Sequence, residues 1–208
     1  MLPTSLGVNP QTGLMSGFSR RYEKRLQDLA DIYFDGDAFT RLARENSNLV
    51  TYEVYDFRPS DRPGDLIFGT SILYPGRVGD EFFMTRGHVH ARADRPEIYY
   101  CQEGQGLMLM ESPDGRTETL EMTPQTIAYV PPFWIHRSVN LGPGTLVTVF
   151  CYPSDAGQDY EIIARAGGMR HLVVADKEPP GWRLAENPRY TPRTPEEVAR
   201  VVATGVTD

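Results

Sequence analysis

The sequence predicts a mainly β protein, a sandwich or barrel of short strands. From residue 49 onward, runs rich in β-branched and aromatic residues alternate with turn signals, and the chain carries 19 glycines and 17 prolines. That spacing favours a sandwich or barrel over repeated βαβ units. Strands are expected over 51–57, 66–74, 97–102, 107–111, 116–122, 126–130 and 145–152. Pro113-Asp114-Gly115 has the chemistry of a hairpin turn, with proline fixing one dihedral and glycine supplying positive φ.

The flanks read differently. Ser19 is placed to cap a helix whose apolar residues Tyr22, Leu26, Leu29 and Tyr33 recur at helical spacing. Asp37 is placed to cap a shorter one through Phe39, Leu42 and Ala43. Residues 1–48 are therefore expected to form a helical extension on the barrel, 49–165 the barrel, and 166–208 a C-terminal extension. Within the last, Pro179-Pro180-Gly181-Trp182 and Pro188-Arg189-Tyr190 suggest an extended strap. Thr194-Pro195-Glu196-Glu197 has the cap, first-turn proline and acidic residues of a helix start, with the helix running to about Ala203.

Composition excludes several function classes. A chain of 208 residues with 40% apolar content can bury a core as one soluble unit. A net charge of −7 argues against nucleic acid as a partner, and it means that an anionic ligand has to be held by a local site. There is no membrane span and no secretion signal in the first 18 residues, so a cytoplasmic protein is expected. Cys101 and Cys151 lie in apolar, strand-like runs and are expected as free buried thiols.

The chemistry concentrates in two segments. His88 and His90, two apart on a strand, would project into the barrel while Val89 packs outward. Glu97 opens the next apolar run, and His136 follows Pro131-Pro132 and can arrive from a later strand. Three imidazoles and a carboxylate suit Fe, Mn, Ni, Co or Zn. An isolated histidine is ordinarily a surface or satisfied core group, and His171 is read so.

These segments resemble the cupin motifs. Gly104 follows Glu97 with the expected six residues between them, and Pro131, His136 and Asn140 match the second motif, while Gln125 and Phe133 stand where glycines are usual. Within cupins, the chain from about Tyr52 to Tyr160 resembles the cupin-type phosphoglucose isomerases. The resemblance rests on Tyr52-Glu53-Val54-Tyr55, Leu73-Tyr74-Pro75-Gly76, Glu81-Phe82-Phe83, Thr85-Arg86-Gly87-His88-Val89-His90, the long spacer from His90 to Glu97, Val130-Pro131-Pro132-Phe133-Trp134, and Tyr152-Pro153-Ser154-Asp155-Ala156-Gly157.

That likeness implies a cupin double-stranded β-helix, a jelly-roll barrel. It implies a divalent metal, Fe2+ first and Mn2+, Ni2+, Co2+ or Zn2+ as alternatives, held by His88, His90, Glu97 and His136. It also implies interconversion of glucose 6-phosphate and fructose 6-phosphate by a homodimer. Tyr52, Ser71, Tyr99, Tyr152 and Tyr160 are nominated as hydrogen-bond donors to phosphate or sugar. Thr85 and Gly87 could offer a hydroxyl and backbone amides to phosphate, and no nucleotide-binding GxxxxGK[ST] pattern is present. Gln158 stands where relatives would carry histidine, which leaves any ring-opening role to another group.

Glu97 is the candidate base, since the histidines would spend their lone pairs on the metal; a hydride shift would leave it a ligand only. Arg86, Arg92 and Arg95 are expected to be solvated, with Arg86 the candidate for phosphate attraction. Phe133, Trp134 and the alternating run Leu107 to Met110 are expected to pack in or against the core. The same metal set would also serve a dioxygenase, and the same pocket a sugar-phosphate-binding protein without turnover.

Overall fold

Buried and exposed residues alternate along much of the chain, and the strands they define stack into facing antiparallel layers. In the computed structural model, which describes residues 2–204, the strands are β1 (Arg20–Arg25), β2 (Val50–Phe57), β3 (Leu66–Leu73), β4 (Arg77–Val78), β5 (Glu81–Phe82), β6 (Glu97–Glu103), β7 (Gly106–Glu111), β8 (Thr117–Met122), β9 (Ile127–Val130), β10 (Ile135–Asn140), β11 (Leu146–Pro153), β12 (His171–Ala175) and β13 (Trp182–Glu186). Helices α1 (Gly36–Glu45), α2 (Glu161–Arg165) and α3 (Pro195–Ala203) lie outside the sheets. A six-stranded sheet runs β1-β2-β3-β11-β6-β9, a three-stranded sheet β10-β7-β8, and a four-stranded sheet β13-β12-β5-β4. Leu73, Tyr99, Cys101 and Leu146 from the first sheet share one core cluster with Met108, Met110, Ile135 and Val139 from the second. This is a cupin β-sandwich, mainly β with few helices.

The expected strands, the 113–115 turn and the C-terminal helix all form. Gly115 takes φ +90, and its amide donates to Ser112 O at 2.9 Å. Thr194 caps α3 in a reciprocal capping box with Glu197. Leu107 to Met110 are all buried, Phe133 and Trp134 pack against the core, and both cysteines are free thiols, Cys101 buried as expected but Cys151 only half-buried. His171 is satisfied by Thr117 Oγ1 at 2.8 Å and Glu186 at 3.3 Å.

Several expectations are overturned. The segment following Ser19 is not a helix: Arg20–Arg25 is β1, paired antiparallel with β2, and only Leu26–Leu29 coils, as a short 3-10 turn. An exposed edge of β2 supplies backbone partners that outweigh the local helical pattern. Asp35, not Asp37, caps α1, accepting from Ala38 N at 2.8 Å. Residues 171–186 form the hairpin β12–β13, not an extended strap. Val89 is 3% exposed, so it packs into a second buried environment. As expected, His136 comes from a later strand, β10, which follows Pro131-Pro132 and pairs with β7. The N-terminal residues cover part of the large sheet's outer face, with Met15 packed on Tyr55 and Ile72 and Thr70 Oγ1 donating to Gly13 O at 2.6 Å. Of the expected extensions, Met1 and residues 205–208 lie outside the described residues.

Candidate metal centre

Glu97 is the first residue of β6, where inward positions Glu97, Tyr99 and Cys101 alternate with outward Ile98 and Tyr100. His136 is the second residue of β10. His88 is held beside it by a reciprocal pair of backbone hydrogen bonds, His88 N to His136 O at 3.1 Å and His136 N to His88 O at 2.9 Å. Phe133 makes the turn between the prolines and β10 at φ +73, and Gln125 makes the turn before β9 at φ 76. Both conformations are ones that glycine adopts at little cost. The places where the cupin motifs usually carry glycine thus keep that geometry with side chains present. Asn140 is a turn former, donating to Leu73 O and Gly144 O and accepting from Gly142 N at 2.8–2.9 Å.

The donor atoms of His88, His90, Glu97 and His136 lie within 4.8 Å of one another, and all four residues are buried. His90 Nδ1 lies 2.7 Å from Arg95 O and His136 Nδ1 lies 3.1 Å from Trp134 O. Each Nδ1 therefore carries its proton outward to a carbonyl and turns Nε2 toward the cluster, the tautomer a metal ligand requires. Both Nε2 atoms sit 3.1 Å from the same Glu97 oxygen, Oε2. Neutral imidazole lone pairs facing a carboxylate repel it, so this convergence calls for positive charge at its centre. His88 Nε2 is buried with no hydrogen-bond partner. Burial, followed by the facing His136, holds the His88 imidazole well below its usual range, so it stays neutral and able to donate its lone pair. Burial pushes the Glu97 carboxyl up, yet with His136 and His90 facing it the net direction is down, and the carboxylate is ionised. The group fits a divalent cation.

A cleft opens onto His88 and Glu97. Tyr52, Ser71, Thr85, Gly87, Tyr99, Tyr152, Gln158 and Tyr160 all line it. The Tyr99 hydroxyl, its pKa raised by burial and then by Glu97, hydrogen-bonds that carboxylate. Thr85 Oγ1 accepts from Ser138 N at 3.1 Å, which leaves its own proton to donate. Gly87 has φ +78, and a Cβ there would lie 2.9 Å from Arg137 Nε and 3.0 Å from His136 O, so only glycine fits. The Tyr160 hydroxyl bonds Gln158 Oε1. A larger cavity lies under α3, lined by Ile162, Arg193 and Val201 among others; of the four cluster residues only His90 borders it, so the His88 cleft carries the chemistry.

The arginines depart from expectation. Arg86 borders the cleft but its guanidinium is engaged by Asp31 at 2.8 and 3.0 Å and by Asp28 O at 2.6 Å, and Arg92 and Arg95 both pair with Asp155. Cleft residues that sequence reasoning missed are Arg20, Tyr22, Asp56, Arg58 and Ser138. The period-2 spacing Tyr52, Val54, Asp56, Arg58 could have flagged two of them; Arg20 and Tyr22 were hidden by the helical reading of their segment.

A β-sandwich with three histidines and a glutamate converging at the floor of a cleft defines a cupin whose buried site can hold a metal ion. A family model described as glucose-6-phosphate isomerase (GPI) matches residues 23–190, and the chain belongs to that family. It is 50% identical over 197 residues, 95% of this chain and 92% of the other, to a glucose-6-phosphate isomerase of Sinorhizobium medicae (strain WSM419). It is 41% identical over 189 residues, 91% and 97% of the two chains, to a glucose-6-phosphate isomerase of Thermococcus gammatolerans (strain DSM 15229 / JCM 11827 / EJ3). Among solved structures, one of oxalate oxidase aligns with TM-score 0.44 and 13% identity over 52% of this chain and 54% of that one.

Proposed function

We propose that this protein interconverts glucose 6-phosphate and fructose 6-phosphate with a divalent metal held by His88, His90, Glu97 and His136. The observation that carries the reading is the convergence of those four side chains beneath a cleft lined by polar groups suited to a phosphorylated sugar. The donor set suits Fe2+, Mn2+, Ni2+, Co2+ or Zn2+, and the resemblance to cupin-type phosphoglucose isomerases puts Fe2+ first among them. When bound, such an ion supplies Lewis-acid stabilisation of negative charge on substrate oxygens.

The chain's own groups do the rest. Thr85 and the Gly87 amide hold the phosphate with neutral donors, and Tyr52, Ser71, Tyr152 and Tyr160 orient the sugar. Glu97, ionised at neutral pH, takes the proton from the carbon next to the carbonyl and returns it to the neighbouring carbon. Tyr99, two residues along β6, steadies that carboxylate. Gln158 can orient a sugar hydroxyl but cannot exchange a proton at neutral pH.

The outer face of the large sheet supports a homodimer. Ile98 opposes Tyr129 and Tyr100 opposes Ile127 across β6 and the edge strand β9, and Ile98, Ile127 and Tyr129 are exposed. No helix among the described residues is long and apolar enough to cross a membrane. The free thiols fit a reducing cytoplasm.

The test is isomerase activity of chelator-stripped protein before and after adding each metal, run in deuterated water. Activity restored by metal, with deuterium entering the product carbon, supports the proposal and the role of Glu97. Metal-restored activity with no solvent label would limit Glu97 to holding the ion. Oxygen uptake without isomerisation would overturn the isomerase reading.

A further inference from the structure

The cleft contains a charged cluster that the isomerase reading does not use. Asp56 is 1% exposed; its Oδ2 accepts a hydrogen bond from Arg20 Nη2 at 2.9 Å and makes an ion-pair contact with Arg58 Nε at 3.1 Å. Two guanidinium groups therefore share one carboxylate, leaving one positive charge in excess. The third cleft arginine, Arg86, is already neutralised by Asp31 outside. Arg58 Nη2 also lies 3.2 Å from the Tyr152 hydroxyl and donates to it, which turns the Tyr152 proton away from Arg58. Among the described residues Arg58 Nη1 has no protein hydrogen bond, and the side chain is 29% exposed, so it remains open to a ligand.

We propose that Arg58, with Arg20 behind the shared Asp56, is the residue that selects an anionic sugar for this cleft. Thr85 and Gly87 offer phosphate neutral donors only, and a chain of net charge −7 repels a dianion at long range. A local excess charge in a low-dielectric cleft reverses that repulsion where it matters. Arg58 acts in two ways: its charge balances part of the phosphate, and its bond to Tyr152 commits that hydroxyl to donate. Asp56 keeps the pair in place and limits the excess to a single charge, so product can leave. The inference rests on the isomerase reading for its substrate but not for its physics.

The experiment compares the metal-loaded wild type with Arg58→Met, Arg58→Lys and, as a remote control, Arg116→Met, whose side chain is 71% exposed on β8's approach. For fructose 6-phosphate, Arg58→Met should raise KM about tenfold to a hundredfold, the usual effect of losing a charged hydrogen-bond donor, with kcat within about threefold. Arg58→Lys should recover part of the loss, and the fall of kcat/KM with added NaCl should be shallower in Arg58→Met than in wild type. An unchanged KM, or a fall in kcat alone, overturns the proposal. If the wild type shows no isomerisation, the isomerase reading fails separately, and calorimetric titration with fructose 6-phosphate and inorganic phosphate still decides: at least tenfold weaker binding by Arg58→Met supports the role, and equal binding overturns it.

Discussion

His88 Nε2 lies 3.9 Å from Glu97 Oε2, whereas the Nε2 atoms of His90 and His136 lie 3.1 Å from that same oxygen. The asymmetry gives His88 a distinct role in the metal-free protein. It is a buried base whose pKa is depressed by burial first and then by His136, against a weaker upward pull from Glu97.

The pH dependence follows in sign. In the unfolded chain the imidazole titrates near 6.5, while in the folded protein it takes a proton only at lower pH. Below 6.5 the unfolded state binds more protons, so stability is fully present above that value and is lost as pH falls toward the folded pKa. Glu97 adds nothing to this slope, since its folded pKa is depressed below the ordinary 4.5 and its contribution is lost only at more acid pH. Metal-free protein should lose roughly 1 kcal/mol per pH unit below about pH 6 through His88. Urea unfolding at several pH values, on wild type and His88→Asn, checks this; equal slopes for the two would contradict it.

Gln125 is exposed and sits at φ 76, with its amide donating to Cys101 O at 2.9 Å. A non-glycine residue in that region costs on the order of 1 kcal/mol, and the side chain buries nothing in return. Gln125→Gly should therefore stabilise the protein by about 0.5 to 1 kcal/mol, a rise in Tm of roughly 1–4 °C by calorimetry. Phe133→Gly should not show the same gain, because Phe133 packs against the core as well as adopting φ +73.

The C-terminal region is fastened by a buried ion pair. Arg193 Nη1 lies 2.6 Å from Glu111 Oε1, with side-chain exposures of 4% and 0%. Glu111 also accepts from Arg170 N at 2.6 Å and from the Tyr190 hydroxyl at 3.3 Å. Removing one member of a buried pair strands the other, so Arg193→Met should cost about 3 kcal/mol in urea unfolding. A loss below about 1 kcal/mol would mean that the neighbouring donors suffice.

The exposed apolar pairs on β6 and β9 give a direct test of assembly. Sedimentation velocity should show a dimer for the wild type and a monomer for Ile127→Lys, with the metal content unchanged. A wild type that sediments as a monomer would refute the dimer.

Some of this was written locally. Runs of β-type residues bounded by turn signals placed β2, β3, β6, β7, β8, β9 and β11 close to their observed positions, because strand propensity and turn chemistry are local properties. Thr194, Pro195 and Glu197 marked α3, because capping depends only on adjacent residues. The His88, His90, Glu97 and His136 set was legible because two of its members are two residues apart and all four match motif positions. Tertiary pairing decided the rest. Arg20–Arg25 carries a helical pattern yet becomes a strand, since the edge of β2 satisfies its backbone. The two-arginine clamp on Asp56 joins residues 36 positions apart and Arg193 reaches Glu111 across 82, distances over which no local periodicity operates. The sequence by itself determined the strand-rich class and the identity of the four side chains that form the candidate metal centre; which cations border the cleft, and which anions they share, was decided only when the sheets brought distant segments together.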